Sequence, residues 1–98
     1  MSDRQLPPIA KELIAAKKRI ENEDDWCQGQ FQNGHRVCAA TALCEASESG
    51  NAYEWFIASA LLLRPRITCV SELNDEVGHK AVMETFDHAI ARAIAKGK

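Results

Sequence analysis

Apolar side chains spaced four residues apart near the C-terminus are the feature that most constrains how this chain can fold. They are Val82, Phe86, Ile90 and Ile94, with Ala89 and Ala93 beside them. Because an α-helix places residues i and i+4 on one face, this spacing predicts an amphipathic final helix with one buried stripe. Asn74 or Asp75 is a suitable N-terminal cap for it. Such a helix needs apolar partners elsewhere in the chain.

Three further segments have helical patterns. After Pro7-Pro8, a first stripe is formed by Ile9, Leu13, Ala16 and Ile20. This spacing predicts a helix that begins at the prolines and ends near Ile20. The alanine-rich segment 38–47 predicts a short second helix. Residues 52–63 are apolar nearly all round and are followed by Pro65, a pattern typical of a helix at the centre of a core.

The segment between the first two helices has a different pattern. Residues 26–32 alternate loosely between apolar and polar side chains, and Asn33-Gly34 then supplies a two-residue turn signal. Residues 35–37 form the returning arm, which predicts a short β-hairpin or an irregular loop that imitates one. The fold class expected is therefore mostly α: a compact bundle of about four helices with this hairpin between helices 1 and 2. We expect a single domain over residues 1–98, with its core at about 8–96.

Composition and charge narrow the classes of partner. Twelve basic and 14 acidic residues give a net charge of −2, whereas nucleic-acid binders carry a basic excess. Residues 1–8 contain no apolar core of a secretion signal, and the apolar run 52–63 is shorter than the about 20 residues that span a bilayer. We expect a cytoplasmic protein, monomer or homodimer, with reduced cysteines and no cofactor. Another protein is the expected partner, rather than nucleic acid or a membrane.

The cysteines raise the question of a metal site. There are four of them, Cys27, Cys38, Cys44 and Cys69, and no Cys-x-x-Cys pair. A zinc-stabilised hairpin is one interpretation, with ligands His35 and Cys38 at i, i+3 and Cys27 across the hairpin. Cys69 or His79 would then be the fourth ligand. In the alternative interpretation the thiols pack as small apolar groups, and Cys44 and Cys69 have the pattern of core residues.

A cysteine-dependent enzyme is a second interpretation of Cys38. A thiol at a helix N-terminus has a lowered pKa, which favours the nucleophilic thiolate. His79 is the candidate general base, and Asp75 or Asn74 the candidate group that orients it. No recognisable family signature of a cysteine hydrolase surrounds Cys38, so a packed thiol in an alanine-rich helix remains the alternative.

The hairpin is also a candidate recognition element. Trp26 either fills the core beside the helices or stands exposed as an interaction anchor, since aromatic residues dominate interface hot spots. Phe31, His35 and Arg36 lie on the same segment. With a balanced charge and no complete catalytic or metal motif, we favour a non-enzymatic protein-interaction or regulatory module that binds through this segment.

The order of short motifs adds a resemblance. They are Trp26-Cys27-Gln28-Gly29, Cys38-Ala39, Leu73-Asn74-Asp75 and Phe86-Asp87-x-Ala89-Ile90. This series resembles an uncharacterised family of small helical proteins from bacteria and their phages, over about residues 9–95. Thr41 and Leu73 stand where that family shows glycine and phenylalanine. The resemblance implies a helical fold and singles out these residues, but it implies no activity.

Overall fold

The computed structural model describes residues 6–98. Its elements in chain order are α1 (Pro8–Ile20), a 3₁₀ turn (Glu23–Asp25), β1 (Gln32–Asn33), β2 (Arg36–Val37), α2 (Ala39–Ala46), α3 (Asn51–Leu63), α4 (Val70–Glu72), a π-helical turn (Leu73–Val77) and α5 (His79–Ala95). The predicted fold class, mostly α with a short hairpin between the first two helices, is confirmed. The expectation about a secretion signal falls partly on residues 1–5, which lie outside the described residues.

The core lies where α1, α3 and α5 meet. Leu13 and Ile20 of α1 are fully buried, as the stripe on that helix predicts. Phe56 of α3 packs against Phe86 of α5 with their ring centroids 4.6 Å apart. On α5 the predicted stripe is buried at its N-terminal half only, and Ile94 is exposed. The buried face continues instead through the alanines of α5, because small side chains let the helices approach closely.

The prediction that α3 lies at the centre of the core is wrong. It packs on α1, α2 and α5 through one side, where Ala52, Phe56 and Ala60 are fully buried. Its other side and its C-terminal end face solvent, and Leu62 is 62 % exposed. Although α3 is strongly apolar, no helix within residues 6–98 has both the length and the apolar character needed to cross a bilayer.

The start of α5 also differs from the expectation that Asn74 or Asp75 caps it. The helix begins at His79, after Gly78, whose φ of 111° favours glycine. The preceding residues form a π-helical turn, closed by a bond of 3.2 Å from the Gly78 amide to the Leu73 carbonyl. This wider turn leaves Asn74 fully buried rather than at a helix end.

The hairpin is short and antiparallel. Gln32 pairs with Val37 and Asn33 with Arg36, around a turn in which Gly34 has a φ of 64°. Two residues per strand give little stability alone, so the hairpin depends on its attachment to the helices. Further backbone bonds close its base, from the Cys27 amide to the Val37 carbonyl at 3.2 Å and from the Cys38 amide to the Phe31 carbonyl at 3.1 Å.

Candidate functional site

The side chain of Asn74 lies fully buried where three distant segments of the chain meet. Its Oδ1 accepts hydrogen bonds from Nε1 of Trp26 at 2.5 Å and from the backbone amide of Ala39 at 3.0 Å. Its Nδ2 donates to the carbonyl of Cys27 at 2.9 Å and to Oδ1 of Asp75 at 2.9 Å. If the amide were reversed, Nδ2 would face two N–H donors and Oδ1 would face two acceptor oxygens. These four bonds therefore fix the orientation of the amide.

A second set of bonds holds the loop that follows Trp26. Nε2 of Gln28 donates to the carbonyls of Asn74 at 3.2 Å and Asp75 at 3.0 Å. The amide of Gly29 donates to Oδ1 of Asp75 at 2.8 Å. We call residues 26–29, Ala39, Asn74 and Asp75 the polar junction. It fixes the base of the hairpin loop to the π-helical turn and to the start of α2.

The bond from Ala39 makes Asn74 a cap for α2. Cys38 occupies the N-cap position of that helix, but its side chain makes no capping bond, and its sulfur lies 3.5 Å from Oγ1 of Thr41. The unpaired amide at the helix start is satisfied by Asn74 instead. Sequence reasoning missed this role because the capping side chain is 35 positions away from Ala39.

A cleft of about 220 Å³ opens beside the polar junction. The residues that line it come from the hairpin loop, the start of α2, α4 and the turn before α5: Gly29, Gln30, Phe31, Cys38, Ser71 and Asp75. Phe31 at its rim is 68 % exposed, whereas Cys38 is only 3 % exposed. The second carboxylate oxygen of Asp75 accepts no hydrogen bond from residues 6–98.

The structure brings only part of the candidate catalytic set together. Asp75 and Cys38 line the same cleft. His79, the candidate base, donates from Nε2 to the carbonyl of Ile20 at 2.7 Å, and its ring packs edge-on against Trp26 with centroids 5.1 Å apart. Among the described residues, no hydrogen bond joins His79 to Cys38. The imidazole of His79 contacts the ring of Trp26, whereas Asn74 accepts a hydrogen bond from the indole nitrogen.

The candidate zinc ligands lie in different surroundings. His35 is exposed, and its Nε2 donates to the carbonyl of Asp24 at 3.0 Å and lies 3.6 Å from a carboxylate oxygen of Asp25. Across the part of the chain that the structure describes, no three histidine, cysteine or acidic side chains are grouped so as to hold a metal ion. The zinc-stabilised hairpin therefore has no support in this geometry.

Cys27 is a buried thiol on the junction side of the hairpin. Burial raises its pKa, and the nearby Cys38 and Asp75 raise it further. The thiol is therefore protonated at neutral pH, and its sulfur donates to the carbonyl of Gln30 at 3.4 Å. A zinc ligand must be a thiolate, so this environment favours a structural role for Cys27.

Of the four candidate binding residues, three are available at the surface. Phe31, His35 and Arg36 are exposed, and the carbonyl of His35 accepts a bond of 2.6 Å from the guanidinium of Arg19. Trp26 is half-buried, packs against the core and is committed to Asn74. The segment thus has a half-buried, hydrogen-bonded side chain at Trp26 and an exposed one at Phe31.

The expectation that Cys44 and Cys69 are core residues is wrong, since both are exposed. Cys44 lies on α2, whose buried side is formed by Ala39, Ala40, Ala42 and Leu43. Thr41 and Glu45, one turn apart, mark the solvent side of this helix, and Cys44 lies beside them. Cys69 lies in the extended segment just before α4.

Comparison with known proteins gives one match. A model of a family of unknown function, DUF6197, matches residues 4–92. No curated protein and no solved structure matches the chain. The matched stretch contains the whole polar junction and every residue that lines the cleft.

Proposed function

This chain belongs to the DUF6197 family of unknown function, and from that premise we propose that it is a non-enzymatic protein-interaction module. Its recognition surface is the loop around Phe31 together with the neighbouring cleft. The resemblance to small bacterial and phage proteins favours an accessory or regulatory role in the cytoplasm. The family itself supplies no activity, so the proposal rests on the geometry of this surface.

The exposure of Phe31 is the observation that carries the proposal. Its side chain is 68 % exposed, although the backbone on both sides is held by hydrogen bonds. Burying a phenylalanine side chain is worth roughly 1.5–3 kcal/mol, which a partner that covers Phe31 would recover. Because the loop is already ordered, binding through it costs little conformational entropy. An aromatic side chain on a fixed loop is typical of an interface anchor.

The cleft indicates the chemistry of the partner. Its volume of about 220 Å³ is below the roughly 300–1,000 Å³ of small-molecule sites, and it matches one or two side chains of a protein segment. The free carboxylate oxygen of Asp75 can accept a hydrogen bond from a partner. The partner that fits is a segment with an apolar side chain to cover Phe31 and a lysine or arginine to reach Asp75.

A displayed random-peptide library tests this proposal. Peptides selected on the wild-type chain should bind Phe31→Ser at least about tenfold more weakly, since Phe31 is the central contact. Leu62→Ser is the matched control, because Leu62 is exposed to a similar degree and lies on α3, away from the hairpin. It should leave peptide affinity unchanged.

Asp75→Asn tests the basic part of the recognised segment. The amide oxygen of asparagine can still accept from Gly29, so the junction is retained while the charge is lost. Peptides that carry lysine or arginine should lose up to about 1 kcal/mol of binding free energy, and those without should lose none. A library that yields no enriched peptide, or peptides indifferent to Phe31→Ser, would exclude this surface as the recognition site.

A further inference from the structure

The side of α3 that faces away from the core is an apolar surface with one acidic residue. We call it the outer face of α3, and it consists of Glu54, Ala58, Leu61 and Leu62. These positions are three or four residues apart and so share one side of the helix. Leu61 is 42 % and Leu62 62 % exposed. A helix that is apolar nearly all round is normally covered on both sides, whereas this one is covered on one side only.

The charges at the two ends of this face indicate what covers it. Glu54 lies near its N-terminal end, and Arg64 and Arg66 directly follow its C-terminal end. Within residues 6–98 none of these three side chains forms an ion pair. A surface that is acidic at one end, apolar in the middle and basic at the other is complementary to its own copy in the reverse direction. Two-fold symmetry produces that arrangement.

We propose that two copies of this chain associate through α3, with the two helices antiparallel across a two-fold axis. When the axis passes midway between Ala58 and Leu61, Leu61 of one copy lies on Ala58 of the other. Ala58 is the small residue that lets the helix axes approach.

The same register joins the charged ends of the two copies. It places Glu54 of each copy at the level of position 65 of the other, between Arg64 and Arg66. A helix of 13 residues is only about 20 Å long, so the contact is smaller than the about 800 Å² per partner of a standard interface. We therefore expect a weak dimer that depends on concentration. This inference is independent of the proposed function, because the two surfaces share no residue.

Sedimentation velocity on the full chain from about 1 µM to about 1 mM tests the association. The wild-type chain should shift from monomer to dimer within this range. Leu62→Glu should raise the dissociation constant at least about tenfold, because it buries a charge at the centre of the contact. The matched control is Val77→Glu, an exposed apolar site outside α3, which should leave the dissociation constant unchanged. Circular dichroism checks that both variants keep their helices.

A charge exchange tests the antiparallel register. Glu54→Lys alone, and Arg64→Glu with Arg66→Glu, should each weaken self-association, because like charges then meet at both ends of the contact. Mixed in equal amounts, the two variants should form a heterodimer at least as tight as the wild-type dimer. A mixture that associates no better than its components overturns the register.

Two further outcomes would overturn the dimer itself. One is a wild-type chain that stays monomeric throughout the concentration range. The other is a Leu62→Glu variant that associates as strongly as the wild type. If the chain is monomeric and the NMR resonances of α3 shift when a peptide from the displayed library is added, the outer face of α3 binds a different protein instead.

Discussion

The apolar contact around Phe86 and the polar junction around Asn74 hold the helices together by different chemistry. Phe86 of α5 packs on Phe56 of α3, and such contacts are weakly directional, so several apolar shapes can fill the space. Asn74 makes four directed hydrogen bonds that only a side chain with two donor and two acceptor sites can satisfy. The first region supplies bulk stability, and the second determines where the hairpin loop lies.

Phe86→Ala is the change with the largest expected effect and tests the apolar side of this comparison. Deleting a fully buried ring leaves a cavity beside Phe56, so the free energy of unfolding should fall by about 3–5 kcal/mol in urea denaturation. Phe86→Leu, which fills most of the space, should cost less than half as much. Equal costs for the two variants would mean that this contact is as shape-specific as the junction.

Asn74→Asp tests the polar side with almost no change of shape. The new carboxylate cannot donate to the Cys27 carbonyl and lies against the carboxylate of Asp75, so we expect a loss of about 3 kcal/mol at neutral pH. Protonation restores one donor, so the deficit relative to the wild type should shrink as the pH falls through the range in which aspartate titrates. Urea denaturation at several pH values measures it.

Trp26→Phe is the control for that variant. It keeps an aromatic ring against His79 but removes the indole donor to Asn74 and part of the ring volume, so it should cost about 1–2 kcal/mol. A pH-independent loss in Asn74→Asp, or a loss no larger than that of Trp26→Phe, would contradict a network of directed bonds.

Lys17→Met sharpens the comparison with a polar contact at the surface. Nζ of Lys17 lies 2.7 Å from a carboxylate oxygen of Asp87, which links α1 to α5. Because the pair is solvated, its loss should cost about 0.5 kcal/mol at neutral pH, far less than the loss of the buried junction. The hydrogen bond to Asp87 raises the pKa of Lys17 above 10.5, so this contribution is present below pH 10.5 and is lost as the pH rises further.

The control is Lys11→Met, an exposed lysine of the same helix without an ion pair in the described chain, which should leave the free energy of unfolding unchanged. A cost for Lys17→Met comparable with that of Asn74→Asp would remove the distinction between buried and surface polar contacts.

Cys27→Ala has the smallest expected pH-dependent effect. It should change the slope of the free energy of unfolding against pH in alkaline solution and leave that slope unchanged at neutral pH. Burial raises the pKa of the Cys27 thiol above its ordinary 9.0, so the folded chain holds this proton more tightly than the unfolded chain. That stabilisation is complete below pH 9 and is lost as the pH rises through the folded-state pKa. Above pH 9, the free energy of unfolding should therefore fall more steeply in the wild type than in Cys27→Ala. Identical slopes would show that the thiol is not shielded in the fold.

Local patterns in the sequence were sufficient for the elements that form by local rules. The four-residue spacing of apolar side chains predicts α1 and α5, and Asn33-Gly34 predicts the hairpin turn. Asn74 shows where this reasoning ends. An asparagine shortly before a helix is read as the cap of that helix, whereas here it caps α2, 35 residues earlier in the chain. Only the three-dimensional path of the chain brings these groups together.

The errors on α3 and on Cys44 have different causes. A uniformly apolar helix has no polar stripe to mark its solvent side, so its sequence does not distinguish full burial from an uncovered face. For Cys44 the signal was present, because Thr41 and Glu45 mark the solvent side of α2 next to it. Five residues of the polar junction and the cleft were singled out from the sequence, and their functional roles stay predictions: Trp26, Phe31, Cys38, Asn74 and Asp75. What the sequence does not contain is the structural difference between Trp26, which is bonded to Asn74, and Phe31, which is exposed.

The separation along the chain between Asn74 and its partners bears on the order in which the molecule folds. The indole donor lies 48 positions before Asn74, and the amide it caps lies 35 positions before it. Contacts between distant positions form after local ones, since the intervening chain must first be brought together. During synthesis, residues 26–37 are made well before Asn74, whose hydrogen bonds hold this segment in place. We therefore expect that a nascent or truncated chain ending before residue 74 displays no organised loop.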